Sequence, residues 1–202
     1  GSLNDQFDEQ AVIANTNTLN LNSQQETLTL QQNTLSGIAL VLELQAFFTE
    51  VIYWNFDAVQ QVDEDSLEYG QEYSEKFIAV ISQIATQYPD QEAVTNKLTT
   101  EIQEFNTYIQ SSYNGYEDEN LFIAEKQFLN ASGKAQNITT SIGKLSSYFN
   151  SQLVESQSAV SGKTLLLKAN AEELEIAQKA KDILIQNLQD TPTIKQLARK
   201  CA

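Results

Sequence analysis

The chain has 202 residues, with 27 acidic and 12 basic side chains and a net charge of −15 at pH 7. That length suits one domain, or one domain with an appendage, and a body this acidic repels nucleic acid and anionic membrane surfaces. No histidine occurs and the single thiol, Cys201, has no partner. The commonest general base, the commonest zinc ligand and any intrachain disulfide are thereby excluded.

Two prolines and seven glycines are few for this length and predict long, uninterrupted helices. The charge is unevenly placed. Residues 1–160 hold 22 acidic and 5 basic side chains, net −17, whereas residues 161–202 hold 5 acidic and 7 basic, net +2. The sequence shows no signal peptide and, by inspection, no apolar run long enough to cross a bilayer. Gly1-Ser2 resembles a cloning scar, so the chain is expected to be a fragment whose flanking membrane segments lie elsewhere.

A first helix is predicted from Leu3 to Asp57. Phe7, Ala14, Leu21, Leu28, Leu35 and Leu42 recur every seven residues, the mark of a supercoiled helix. A second line (Ala11, Thr18, Gln25, Gln32, Ala39, Ala46) flanks it. From Gly37 onward the helix is apolar on several sides, and "FFTEVIYWNFDAV" gathers Phe47, Phe48, Tyr53, Trp54 and Phe56. Phe48, Ile52 and Phe56 read as core. Tyr53 and Trp54, whose polar tips need partners, read as an interface or pocket wall.

Asp65 followed by Glu68 has the spacing of a capping box, so a second helix is expected near Ser66, with Tyr73, Phe77, Val80, Ile81 and Ile84 inward. Pro89 breaks the chain. A third helix turns Val94, Leu98, Ile102, Phe105 and Ile109 inward and ends at Asn114-Gly115. The fourth carries two heptad lines: Leu121, Phe128, Ala135, Ile142 and Phe149, and Ala124, Ala131, Ile138, Leu145 and Gln152.

These lengths imply an all-α fold: an elongated up-down four-helix bundle with long first and fourth helices, a short central hairpin and a small C-terminal helical appendage. The hairpin covers only the half of the first helix that holds the aromatic cluster. The remaining two-helix stalk needs a partner chain, most simply a second copy in a homodimer.

That order of helices, with "FDEQAVIANTNTLN" near the start and "SSYFNSQLVESQSAVSGKTLLL" over 146–167, resembles the extracytoplasmic sensor domain of methyl-accepting chemotaxis proteins over residues 3–163. The resemblance implies a dimeric periplasmic domain at the inner membrane that binds a small molecule and relays it by helix displacement. Residues 164–202 depart from the pattern. "IAQKAKDILIQNLQDTPTIKQLARKCA" resembles the start of an AraC-type DNA-binding domain, with Thr191-Pro192 opening a helix. It ends before the recognition helix that reads the groove, so no nucleic-acid partner is expected for this chain.

No catalytic constellation is found, and neither enzyme activity nor a cofactor is expected. The acids Asp63, Glu64, Asp65, Glu68, Glu117, Asp118 and Glu119 should gather at one end of the bundle, but their spacing lacks the glycine and alternating ligands of a calcium loop. They read as solvated, helix-capping groups. Chemoreceptors that bind dicarboxylates use arginines, and the one arginine here, Arg199, lies in the tail. Rings beside carboxylates suit a cationic, amine or aromatic ligand, which gives Tyr53, Trp54, Asp57, Tyr69, Tyr73, Lys76 and Tyr113 as candidate ligand-binding residues. The competing readings are a structural or interaction coiled-coil bundle with no small-molecule site, and the sensor part of an AraC-type regulator.

Overall fold

A computed structural model describes residues 3–190. The fold is all-α, a bundle of four helices of which two are long, with no strand among the described residues. Helix α1 spans Leu3–Gln61, α2 Glu64–Gln87, α3 Glu92–Glu117 and α4 Leu121–Asp190, and a 3-10 turn at Pro89–Gln91 joins α2 to α3. The chain divides into two compact units, one of Gln32–Val154 and one of Gly1–Gln31 with Glu155–Ala202.

In the unit Gln32–Val154 all four helices share one core. Phe48 of α1 meets Phe77 of α2 and Phe105 of α3, with ring centroids 5.4 and 6.3 Å apart. Phe56 meets Phe128 of α4 at 4.8 Å. The inward faces expected for α2 and α3 are observed: Phe77, Val80, Ile81, Ile84, Leu98, Ile102, Phe105 and Ile109 are buried, with Tyr73 and Val94 half-buried at the margin. Both α4 heptad lines point inward through Ala124, Ala131, Ala135, Ile138, Ile142, Leu145 and Phe149. Leu121 is the exception and is exposed. It occupies the first turn, beyond the reach of the core.

Turn chemistry shifts two boundaries. Asp63, rather than Asp65, caps α2: its side chain accepts from the Ser66 amide at 3.0 Å, satisfying one of the open donors of the first turn. Gly115 does not end α3, which continues to Glu117 and breaks at Glu119, where φ is 59°. Gly115 instead lets α3 close on α4, since a Cβ there would lie 2.8 Å from the Ala124 amide nitrogen. Ser112 Oγ donates to the Ala124 carbonyl 2.8 Å away and locks the same contact.

On α1 the seven-residue line is not the core face. Leu21, Leu28, Leu35 and Leu42 are exposed, and Leu40, Val41, Leu44, Phe48 and Val51 are buried instead. The Phe7 side chain lies outside the described residues. Ile52 and Phe56 are half-buried rather than fully enclosed. One 18-residue window within Ala11–Gln61 has mean hydropathy 1.6 and passes the length and composition test for a bilayer crossing, which inspection of the sequence did not identify. A third of that window is buried inside the protein, and a core helix satisfies the same test.

The second unit pairs α1 with α4 through polar groups around Ser23–Thr27 and Lys163–Thr164. Lys163 Nζ donates to the Ser23 carbonyl at 2.8 Å and to the Thr27 hydroxyl, and Gln24 Nε2 donates to Thr164 Oγ1 at 3.0 Å. Helix α4 runs unbroken through residues 163–168, where the sequence places the junction with the tail. The helix expected at Thr191-Pro192, Arg199 and Cys201 lie outside the described residues.

Gly115→Ala should destabilise the protein by about 1–3 kcal/mol, because the added methyl meets backbone that cannot rotate away. Gly133→Ala, where a Cβ meets nothing within 4 Å, should stabilise it by about 0.5–1 kcal/mol through helix propensity alone. Urea denaturation of the two variants checks both signs.

Candidate functional site

The aromatic end of α1 and the facing turns of α2 assemble the candidate residues into separate groups. The first is a surface stack. The ring of Tyr53 stands edge-on to Trp54 at 4.9 Å and 79°, and Tyr69 of α2 lies 4.9 Å from Trp54 on a tilted plane. Trp54 is half-buried, and its indole Nε1 donates to Glu50 Oε2 at 3.1 Å. Tyr53 is 59% exposed and Tyr69 48%. The indole is thus held between two rings with its one donor satisfied on the same helix, an amphipathic arrangement typical of contact surfaces.

An open groove of about 350 Å³ runs along α2 beside Tyr69, lined by Asp65, Glu68, Gln71, Glu72 and Glu75. Tyr73 and Lys76 stand together one turn on. Tyr73 packs against Phe47 at 6.3 Å, and Lys76 Nζ sits 4.4 Å from the Tyr73 ring centroid while pairing with Glu72 Oε1 at 2.7 Å. Glu72 holds the Lys76 ammonium pKa above its ordinary value, first by the hydrogen bond and then by its charge. Lys76 is therefore already engaged by an acid and a ring.

Two candidates lie near the turns. Asp57 Oδ2 accepts from the Ser66 hydroxyl at 2.9 Å, and the same hydroxyl lies 2.6 Å from Asp63 Oδ2. Asp57 thus helps to tie the end of α1 to the start of α2. Tyr113 is buried, and its phenol is pushed up by burial and then by the charges of Glu117, Glu64 and Asp63. It lies near acids of both turns, Glu117 from one and Glu64 and Asp63 from the other. Among the described residues, no three His, Cys, Asp or Glu side chains gather closely enough to hold a metal ion.

A second groove, of about 540 Å³, escapes sequence reasoning. It lies between α1 and α4, lined by Ile52, Phe56, Ser132, Ala135, Gln136, Thr139 and Thr140. Its apolar floor comes from residues that read as core, and only the gap left by the small side chains of α4 reveals it.

Comparison of the chain with protein-family models, with curated proteins and with solved structures finds no match in any of the three. What the fold defines is an all-α helical bundle.

The Ser66 hydroxyl and then its amide hold the Asp63 carboxyl below its ordinary value of 3.8. The folded pKa is lower than the unfolded one, so the cap stabilises the fold above the unfolded value and is lost as pH falls through the depressed folded value. Carboxyl-detected NMR titration should place Asp63 below 3.8, and Ser66→Ala should move its midpoint upward.

Proposed function

We propose that residues 3–163 are the ligand-sensing extracytoplasmic domain of a transmembrane chemoreceptor, which binds a cationic, amine or aromatic small molecule and relays it by helix displacement. The observation that carries this reading is the Tyr53–Trp54–Tyr69 stack beside Glu50 and the acidic α2 groove. Electron-rich ring faces and carboxylates both attract a cation, and neither attracts a dicarboxylate. The site spans α1 and α2, so a ligand bridging them would bias the position of α1 against its neighbours. Thermal-shift and calorimetric titration with choline, phenethylamine and succinate tests this. The amines should bind and succinate should not, and Trp54→Ala should weaken amine binding by about tenfold or more. Binding of succinate alone would overturn the ligand class.

The working form is a homodimer at the periplasmic face of the inner membrane, the membrane being reached through flanking segments. Support comes from the outer face of α1. Leu35 and Leu42 are exposed on the unit Gln32–Val154, at the seven-residue spacing of a coiled-coil seam and with Ala39 and Ala46 beside them. Introducing Leu35→Asp with Leu42→Asp should weaken self-association at least about tenfold in sedimentation velocity, with helicity unchanged.

The reading as an interaction bundle with no small-molecule site is favoured by one observation: the polar groups that would meet a ligand are already engaged, the Trp54 indole by Glu50 and the Lys76 ammonium by Glu72. Absence of any amine binding, with dimerisation intact, would select it.

A further inference from the structure

We propose that the end of the bundle formed by the α1–α2 and α3–α4 turns is a docking surface for a protein partner that presents an apolar pocket rimmed by lysine and arginine. The starting observation is misplaced apolar surface. Phe122 is 78% exposed, Leu121 and Ile123 beside it are exposed too, and Val62 of the α1–α2 turn is 41% exposed. In a chain otherwise rich in Gln, Asn, Ser and Thr, polar residues would serve these positions better if water were their only neighbour. A phenyl ring left in water forgoes the free energy its burial would give.

These side chains are held in place. The α4 start is fixed by Ala124, fully buried against Gly115, with the Ser112 hydroxyl on its carbonyl. The Asn120 amide donates to the Gly115 carbonyl at 2.7 Å, and Asn120 Oδ1 accepts from the Ile123 amide at 3.3 Å. With Ala124 inward and Asn120 capping, the three residues between them are carried outside. Val62 sits at φ 50°, a left-handed conformation in which a β-branched residue is strained and Gly or Asn would be relaxed. Both turns therefore spend stability to present apolar side chains at the same end, where Tyr113 feels Glu117 from one turn and Glu64 and Asp63 from the other.

The rim chooses the occupant. Glu64 and Asp65 follow Val62, and Glu117, Asp118 and Glu119 precede Leu121; all five acids are exposed, and from Asp57 to Glu75 the chain has no basic residue. A second copy meeting this end through the same surface would bring acid against acid, and an anionic bilayer would be repelled in the same way. An apolar pocket with a basic rim satisfies both the exposed ring and the charge, the arrangement of an aromatic anchor inside a polar ring.

The test uses the full chain, ¹⁵N-labelled, titrated with a short amphipathic Leu/Lys helical peptide and with its Leu/Glu counterpart. The Leu/Lys peptide should shift the amides of Val62 and 121–123, weaken as salt is raised, and lose at least about tenfold in affinity to Phe122→Ser. The Leu/Glu peptide should not bind. Failure of the Leu/Lys peptide to bind, shifts centred on the α2 groove or on outer α1, or indifference to Phe122→Ser would overturn the proposal. So would self-association, or binding to neutral phosphatidylcholine vesicles, that Phe122→Ser abolishes. Because Phe122 lies outside the Tyr53–Trp54–Tyr69 stack, amine binding by Phe122→Ser remains a separate readout of the sensor reading.

Discussion

Phe48 is a single side chain of α1 that meets both short helices at once. Its ring contacts Phe77 and Phe105 together, and all three are buried. A bundle with no disulfide depends on such a junction to fix helix register, and smaller devices keep that register from slipping. Asn55, buried in α1, lies so close to Gly70 of α2 that a Cβ there would meet its amide nitrogen at 2.5 Å. Ser74 Oγ reaches Asn106 Oδ1 at 3.0 Å and pins α2 to α3. Ser141 Oγ reaches the buried Glu101 carboxylate at 3.3 Å and pins α3 to α4. Each polar contact is specific in position and modest in energy, whereas the rings supply the burial that holds the helices together.

The same junction explains why some helices were legible in the sequence and α1 was not. Helices α2 and α3 are each covered on one side, so apolar spacing of three and four residues maps directly onto the buried face. On α1 the strict seven-residue line marks Leu21, Leu28, Leu35 and Leu42, which face away from the core. Leu40, Val41, Leu44, Phe48 and Val51 occupy the inward face in the same stretch. A helix with two apolar faces gives two valid periodicities, and spacing alone does not say which one the chain itself covers. The candidate site divides in a similar way. Trp54 and its ring neighbours are visible as amphipathic aromatics next to acids. The roles of Asp57 and Tyr113 follow from a serine nine residues away and from the meeting of two turns, which composition does not encode.

The unit containing residues up to Gln31 and from Glu155 on is built on a different principle. Thr27 and Ser156 are buried there, whereas Val12, Leu19, Leu21, Leu28, Leu165 and Leu166 are exposed. Hydroxyls and the Lys163 ammonium form the seam, so the pairing rests on hydrogen bonds worth about 0.5–1.5 kcal/mol each rather than on apolar burial. Asn17 Oδ1 is buried with no hydrogen-bond partner among the described residues. The apolar surface of this unit lies outside its own seam, the reverse of the unit Gln32–Val154. A helix pair organised in this way gains most of its burial only when other helices cover the leucines.

Charge decides which exposed apolar surface can meet its own copy. Between Gln10 and Thr49 the chain carries only two charged side chains, Glu26 and Glu43. The exposed leucines of α1 fall within that stretch, so two copies can approach there with little repulsion. From Asp57 to Glu75 seven acids stand without a base, and three more follow at residues 117–119. The aromatic stack, the α2 groove and Phe122 all belong to this second region. Self-association there would place like charges together in a desolvated contact, which costs far more than the same charges do in water. The acidic surplus that the composition announces is therefore not a uniform solubilising coat. In the readings proposed above, it leaves the outer face of α1 open to a second copy and draws the opposite sign, whether an amine or a basic-rimmed protein, to the acidic stretches.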